Sequence, residues 1–284
     1  MNQNVSVELL SDGVSYWDGG GAFGLVPRVK WMKLLPPDEL NRVPQELRCV
    51  LVRDGAHNIL IDGGVGEKPN ELLAAQYEVR RPHGTLLDDL ARHGLECGDI
   101  DTVIFTHLHG DHCGWATECD QNGVTGAYKA TFPRARYYVQ RQEYIDATHT
   151  NERTRNTYFA QNYVPLLEQG ILTLLDGNCA ITPHVRVALT PGHTAGHQSV
   201  IVDTPSSPTL ILGDMATYMI QFARLPWLTA YDVLPLQTIE SKRYWQQWAL
   251  EHDALLVSPH DTVIPTGKLA KDNKGFLQVM PVSL

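Results

Sequence analysis

Apolar and polar positions along this chain alternate in short runs that are separated by turn-forming residues, a pattern typical of strands joined by tight turns. Residues 48–53 form one run of β type, Asp54 and Gly55 form a turn dipeptide, and residues 58–62 form a second run. Two such runs on either side of Asp-Gly predict a β-hairpin.

Helical patterns occur between the β-type runs. Thr85 stands where a helix N-cap is expected, and Gly94 follows the predicted helix end. We predict further helices over residues 140–148, 155–169 and 238–252. Further strands are predicted over residues 102–106, 135–139, 185–190, 199–203, 209–212 and 254–257. This mixture of strands and helices predicts an α/β fold built in layers.

The domain organisation is predicted to be simple. We expect one domain over residues 1–284, with an irregular N-terminal arm at about residues 13–45, where glycine and proline are concentrated. Phe23 and Trp31 lie in this arm, so it is interpreted as an ordered segment and not as a linker.

Four of the predicted strands lead into a side chain that can bind a metal ion. His107 follows the run at 102–106, and the three later runs lead to His193, Asp214 and His260. In layered α/β proteins, ligands bind outside the carboxyl ends of the strands. The four side chains are therefore expected to converge.

The segment after the first of these strands is the most informative one. His107, His109, Asp111 and His112 lie within six residues, and Gly110 permits a sharp turn between them. Imidazole suits zinc, and carboxylate oxygen suits zinc or a harder ion. With the three later side chains, the set is too large for one tetrahedral ion. It predicts two ions that share a carboxylate, with the nearby His197 left out because it can satisfy backbone groups.

Composition narrows the expected partners and location. The formal net charge is −9, and a basic surface is what nucleic acid and anionic membranes require, so neither is an expected partner. The five cysteines are scattered and include no CxxC pair, which favours free thiols in a reducing compartment. We see no secretory signal and no membrane-spanning run, and expect a cytoplasmic protein.

The motifs together resemble those of the metallo-β-lactamase superfamily. They are Ile61-Asp62-Gly63-Gly64, THLHGDH at 106–112, TPGHTAGH at 190–197, LGD at 212–214 and SPHD at 258–261. The resemblance implies a four-layer αβ/βα sandwich, in which two sheets lie face to face, helices cover their outer faces, and metals lie at one edge.

The resemblance also implies how the ligands divide between two divalent ions. The first ion would take His107, His109 and His193, the second would take Asp111, His112 and His260, and Asp214 would bridge them. Asp62 would support a ligand from behind the site, although the residues alone allow an ordinary turn aspartate. Zinc is the ion expected, with manganese, iron or cobalt as alternatives.

Two residues are candidates for catalysis. Asp111 is expected to shuttle a proton to the leaving group. Tyr218 is a candidate for substrate contact, because lactonases of this superfamily often carry a tyrosine three residues after the bridging aspartate. In this chain Thr217 occupies that position and Tyr218 is one residue further on.

The expected activity is hydrolysis by a hydroxide that bridges two metals, opening a neutral lactone or ester as N-acyl homoserine lactonases do. The alternatives are a phosphotriester hydrolase, a thioesterase of the glyoxalase II type and a non-catalytic metal-binding module. A homodimer is the expected assembly. About half of six aromatic residues are expected to form an apolar mouth over the metals; they are Phe23, Trp31, Trp115, Tyr218, Phe222 and Trp227.

Overall fold

The computed structural model describes residues 5–68, 78–119 and 128–284. Its strands form two large sheets and one small hairpin. The strands are β1 Val5–Asp18, β2 Arg42–Asp54, β3 His57–Ile61, β4 Thr102–Ile104, β5 Thr117–Cys119, β6 Tyr128–Ala130, β7 Arg136–Gln140, β8 Leu172–Leu175, β9 Cys179–Ala180, β10 Val185–Leu189, β11 Gln198–Asp203, β12 Pro208–Ile211, β13 Leu255–Val257, β14 Thr266–Lys271 and β15 Leu277–Pro281. The first sheet has the order β1-β2-β3-β4-β7-β8, and the second has the order β15-β14-β13-β12-β11-β10-β9.

The helices lie in the connections between strands. They are α1 Gly19–Phe23, α2 Arg28–Trp31, α3 Leu86–Arg92, α4 Arg141–Thr148, α5 Val164–Glu168, α6 Met219–Ala223 and α7 Pro235–Glu251. Thr85 caps α3 as predicted, because its side chain accepts a hydrogen bond from the Asp88 amide in a capping box. No helix among the described residues is long and apolar enough to cross a membrane.

Side chains that alternate along the strands build the layers. In the first sheet, Val50 and Val52 of β2 face one way and Leu51 faces the other. The same alternation in β11 sends Val200 toward the first sheet and Ile201 toward α7. One apolar core therefore lies between the sheets, and each outer face carries a second core under helices. The predicted four-layer αβ/βα sandwich is confirmed.

Two predicted segments differ from the structure. The irregular N-terminal arm is shorter than residues 13–45, because residues 13–18 belong to β1 and residues 42–45 belong to β2. β1 continues past Gly13 through a register shift between Ser11 and Val14. Pro44 is tolerated in β2 because β3 pairs only with residues 50–54 of that strand, so no sheet partner needs its missing N–H.

The helix predicted over residues 155–169 was also wrong in extent. Only α5 is α-helical there, and it starts near Pro165, which suits the first turn of a helix. Residues 152–157 form turns instead, held at their start by the Asn151 side chain, which accepts from the Arg153 and Thr154 amides.

The sheet topology brings the ends of four strands to one edge of the sandwich. β3 and β4 are parallel neighbours in the first sheet, and β12 and β13 are parallel neighbours in the second. The carboxyl ends of each pair lie side by side, and the two sheets face each other across the central core. This edge holds the segments that follow β4, β12 and β13.

Candidate metal centre

The loop after β4 is fixed by backbone hydrogen bonds at several points. The Gly110 amide donates to the Thr157 carbonyl at 2.9 Å, and the Gly63 amide donates to the His112 carbonyl at 2.6 Å. Inside the loop, the His112 amide donates to the His109 carbonyl. These bonds replace a regular ladder and turn the side chains of the loop toward the edge between the sheets.

Three histidine rings meet on one side of this edge. The Nε2 atom of His107 lies 3.0 Å from Nδ1 of His109, which in turn lies 3.1 Å from Nε2 of His193. All three side chains are buried. Their ring nitrogens converge within 4.8 Å of one another, which is the arrangement of three ligands around one ion.

A second group lies beside the first. The Nε2 atoms of His112 and His260 are 3.1 Å apart. A carboxylate oxygen of Asp111 lies 3.8 Å from the first and 3.7 Å from the second. These three side chains also offer one ligand atom each within 4.8 Å.

Asp214 faces both groups. Its Oδ2 atom lies 3.3 Å from Nε2 of His193, and its Oδ1 atom lies 3.1 Å from Nε2 of His260. Oδ1 is buried and accepts no hydrogen bond from the residues that the structure describes. A buried carboxylate oxygen without a hydrogen-bond donor is unfavourable unless a cation completes the site, so the donor set fits metal ions.

In His112, His193 and His260, the ring nitrogen that faces away from the cluster donates a hydrogen bond to an acceptor of its own. Nδ1 of His112 donates to Asp62 at 2.9 Å, Nδ1 of His193 donates to Asp232 at 3.0 Å, and Nδ1 of His260 donates to the Glu46 carbonyl at 2.7 Å. Such contacts fix the ring orientation and leave the Nε2 lone pair free to face a metal.

Asp62 lies behind the His112 ring, where the resemblance puts a supporting aspartate. Its carboxylate also accepts from the Thr106 amide at 2.7 Å and from the Thr106 hydroxyl at 2.9 Å. Its backbone has a positive φ of 59°, which is uncommon for a residue other than glycine. Asp62 therefore ties the end of β3 to the loop that follows β4.

Charge and burial act against each other in this cluster. Burial lowers the pKa of His107 and of His109 well below the ordinary value. Burial also opposes protonation of His112, but the carboxylates of Asp111, Asp214 and Asp62 outweigh it and raise the pKa of that ring to about 10. Without a cation, the acidic side chains hold a proton on His112, and a metal ion can take that place.

His197 and Cys113 lie near the site but belong to neither ligand group. The Nδ1 atom of His197 contacts the Thr190 hydroxyl at 2.7 Å, and burial lowers the pKa of this ring to about 3. The Cys113 thiol donates to the carbonyls of Leu108 and His109, and burial raises its pKa to about 12. A thiol that stays protonated is a poor metal ligand.

Sequence reasoning missed two carboxylates. Asp232 orients His193, but it lies in an irregular segment with no motif. Glu143 is fully buried at the start of α4, where it accepts from the Leu108 amide at 3.0 Å and from the Thr194 hydroxyl. It therefore ties the loop that carries His107 and His109 to the loop that carries His193. An acidic residue in a first helical turn is so common that it gave no signal.

Tyr218 does not reach the cavity beside the two groups. Its side chain is buried, its ring stacks on Phe23 with centroids 5.3 Å apart, and its hydroxyl donates to the Pro44 carbonyl. Thr217 lines the cavity, whereas Tyr218 does not, so the substrate contact expected of Tyr218 stays a prediction that this geometry does not support.

The six aromatic residues that were expected to form an apolar mouth lie elsewhere in the structure. None of the six aromatic residues lines the cavity beside the metal groups. Phe23 and Trp31 pack together in a core with Tyr218, Phe222 lies under α7, and Trp115 donates from Nε1 to Asp12. The cavity has a volume of about 410 Å³, within the range of small-molecule sites. Most of the residues that line it are of polar type, although Trp17, Tyr231, Ala230 and Val233 add apolar surface: Trp17, Asp18, Gln45, His109, Asp111, Arg153, Thr154, Asn156, Thr157, His193, Asp214, Thr217, Ala230, Tyr231 and Val233.

Replacing Asp232 with asparagine is expected to weaken metal binding by about 10-fold to 100-fold while the protein stays folded. The amide keeps the size of the side chain but loses the charge that fixes the proton on Nδ1 of His193. Competition with a chelator measures the affinity. Asp253→Asn is a matched control, because Asp253 is exposed and pairs only with Lys268 among the described residues. Equal metal affinity in the two variants would show that Asp232 does not orient a ligand.

Comparison with known families identifies a match over most of the chain. The family described as the metallo-beta-lactamase superfamily matches residues 48–268. An N-acyl homoserine lactonase of a Bacillus species is 30% identical over 197 residues, which are 65% of this chain and 68% of that protein. AttM, an N-acyl homoserine lactonase of Rhizobium radiobacter, is 28% identical over 183 residues, or 62% of this chain and 63% of that protein.

Solved structures show the same architecture. A probable metal-dependent hydrolase from Staphylococcus aureus has a TM-score of 0.84 at 26% identity, covering 100% of this chain and 99% of that one. AidC, described as a dizinc quorum-quenching lactonase, has a TM-score of 0.79 at 20% identity, covering 100% of this chain and 97% of its own. At that identity the second likeness concerns the fold alone.

Proposed function

Because this chain belongs to the metallo-beta-lactamase superfamily, we propose that it is a metal-dependent hydrolase that opens lactones, with N-acyl homoserine lactones as the first class to test. The observation that carries the proposal is the position of Asp214, which faces two groups of imidazole and carboxylate ligands at the floor of one cavity. The relatives at 28–30% identity support the substrate class, because they are N-acyl homoserine lactonases.

Two divalent ions, zinc by preference, are proposed as the cofactors. His107, His109 and His193 would hold one ion, Asp111, His112 and His260 would hold the other, and Asp214 would serve both. Bound there, such ions lower the pKa of water and polarise a carbonyl oxygen. The all-nitrogen group and the mixed nitrogen–oxygen group both suit zinc, with manganese, iron or cobalt as alternatives.

The residues around the ions supply orientation and proton transfer. Attack of water on the lactone carbonyl forms one carbon–oxygen bond and breaks the ring carbon–oxygen bond, so the alkoxide that leaves must gain a proton. Asp111 lines the cavity and lies beside His112 and His260. Its carboxylate is placed to take the proton from water and deliver it to the alkoxide.

A substrate panel with metal-quantified protein tests the proposal. The panel contains N-acyl homoserine lactones, simple γ-lactones, aryl esters, a phosphotriester and an acyl-glutathione. We expect two metal equivalents per chain and the highest kcat/KM on lactones. A preference for the phosphotriester or for the thioester would replace the proposal with that activity. Metal binding without turnover on every compound would indicate a non-catalytic module.

A further inference from the structure

Arg153 is the cationic side chain among the residues that line the cavity. The other charged lining side chains are carboxylates, namely Asp18, Asp111 and Asp214. Asp111 and Asp214 face the histidine groups, and Asp18 is exposed at the rim. The positive charge of Arg153 therefore has no part in the ligand cluster, and the proposed mechanism does not use it.

Arg153 is held in a defined position. Its Nη2 atom donates to the Ala230 carbonyl at 2.7 Å and to the Asp232 carbonyl at 2.8 Å. Its own backbone amide donates to the Asn151 side chain, and the same turn reaches the ligand loop through the bond from Gly110 to Thr157. Arg153 thus joins two loops that form the wall of the cavity.

Half of the guanidinium group is left for a ligand. The Nε and Nη1 atoms of Arg153 make no hydrogen bond to any residue in the described ranges, whereas Nη2 makes two. Asn156 and Thr154, on the same turn, also line the cavity. A planar group with free donors beside an amide and a hydroxyl is suited to carbonyl or carboxylate oxygen, and poorly suited to an alkyl chain.

We propose that Arg153 binds a carbonyl oxygen of the substituent on the lactone ring, so that the enzyme favours lactones with an amide near the ring over lactones with a plain alkyl chain. This inference rests on the proposed function and names the substrate class within it. Arg153 is a specificity residue here: it contacts the substituent, while the ring carbonyl lies at the metal groups.

The test compares two lactones in three proteins loaded with zinc. The lactones are N-hexanoyl homoserine lactone and a γ-alkyl lactone of matched chain length. In Arg153→Met, we expect KM for the amide lactone to rise by about 10-fold to 100-fold, the usual loss for a hydrogen bond to a charged group, with little change for the alkyl lactone. Arg155→Met is the matched control, because Arg155 is exposed on the same turn and does not line the cavity.

A second variant separates loss of substrate contact from loss of the hydrogen bonds by which Arg153 holds the cavity wall. Arg153→Lys keeps the charge but loses the planar fork, and we expect a smaller rise in KM for the amide lactone at full zinc content. Zinc content and Tm are measured for every variant. A rise in KM that is equal for both lactones, or one that Arg155→Met reproduces, would overturn the inference and leave lactone hydrolysis intact.

A measurement of ligand binding without turnover can test the Arg153 contact separately from the proposed lactone hydrolysis. Calorimetric titration with ring-opened N-hexanoyl homoserine needs no turnover. A wild-type protein that binds this compound, loses 10-fold or more in Arg153→Met and hydrolyses no lactone would refute the function but keep the Arg153 contact. A wild-type protein that neither binds the compound nor hydrolyses any lactone would refute both.

Discussion

Replacing Asp214 with alanine is expected to abolish lactone hydrolysis and to lower the metal content below two equivalents per chain. Asp214 is the side chain that approaches both histidine groups, with one oxygen 3.3 Å from His193 and the other 3.1 Å from His260. In the proposed two-metal centre, its loss would remove a ligand from each ion and several kcal/mol of transition-state stabilisation. At about 1.4 kcal/mol for each factor of ten, the rate should fall by roughly a thousandfold or more.

The measurement combines metal analysis with kcat/KM on the best lactone. Asp203→Ala is a matched control, because Asp203 is a half-exposed aspartate at the end of β11 that pairs with Arg186. The control should keep both metals and its full rate. An Asp214→Ala protein with two metals and wild-type activity would remove the bridging role, and with it the reason to propose a two-metal mechanism.

The layered fold was predictable because its signals are local. The strand ends at His107, Asp214 and His260 follow short apolar runs, and such runs are recognisable without knowledge of their partners. β1 was missed, although it is 14 residues long, because Gly13 interrupts its pattern and a bulge changes which side chains face the core. β1 forms because it pairs with β2 in the folded protein, and such pairing outweighs the weak strand propensity of the local sequence.

In the candidate site, too, some residues could be predicted from the sequence and others could not. Three histidines and an aspartate within six residues are recognisable as a metal-binding motif from sequence alone. The later ligand candidates, His193, Asp214 and His260, each follow a predicted strand. Asp232 and Glu143 contact residues far away in sequence, so only the folded chain shows them beside His193 and Leu108. Side-chain type alone cannot report such contacts, because most aspartates and glutamates lie on the surface.

The chemistry of the cavity was the least predictable feature. Aromatic residues near the motifs suggested an apolar mouth, but Phe23, Trp31 and Tyr218 are used to anchor the N-terminal arm. Tyr218 lies one residue beyond the position where related lactonases often carry a tyrosine. In this chain Thr217 lies at the cavity wall, and the Tyr218 side chain is buried in the core. Substrate preference therefore depends on which way a few side chains point, and residue content does not decide it.

Replacing Asp12 with alanine is expected to cause the largest loss of stability. Asp12 is fully buried, and its carboxylate accepts from the Val65 amide at 2.9 Å, the Leu86 amide at 3.1 Å and Nε1 of Trp115 at 2.8 Å. It also pairs with the Arg81 guanidinium. Alanine would leave these donors buried without an acceptor, at a cost of about 3–5 kcal/mol in the free energy of unfolding.

The loss of the Asp12 carboxylate should also weaken the metal centre, because this carboxylate holds the segment that follows β3. That segment carries Asp62, which orients His112, and Gly63, whose amide donates to the His112 carbonyl. We expect Asp12→Ala to lower Tm by roughly 10 °C and to weaken metal binding, both measured on metal-loaded and chelator-treated protein. Asp176→Ala, in an exposed pair with Arg141, should leave both unchanged. A normal Tm in Asp12→Ala would mean that water replaces the carboxylate without loss, and the link from β1 to the metal loop would not exist.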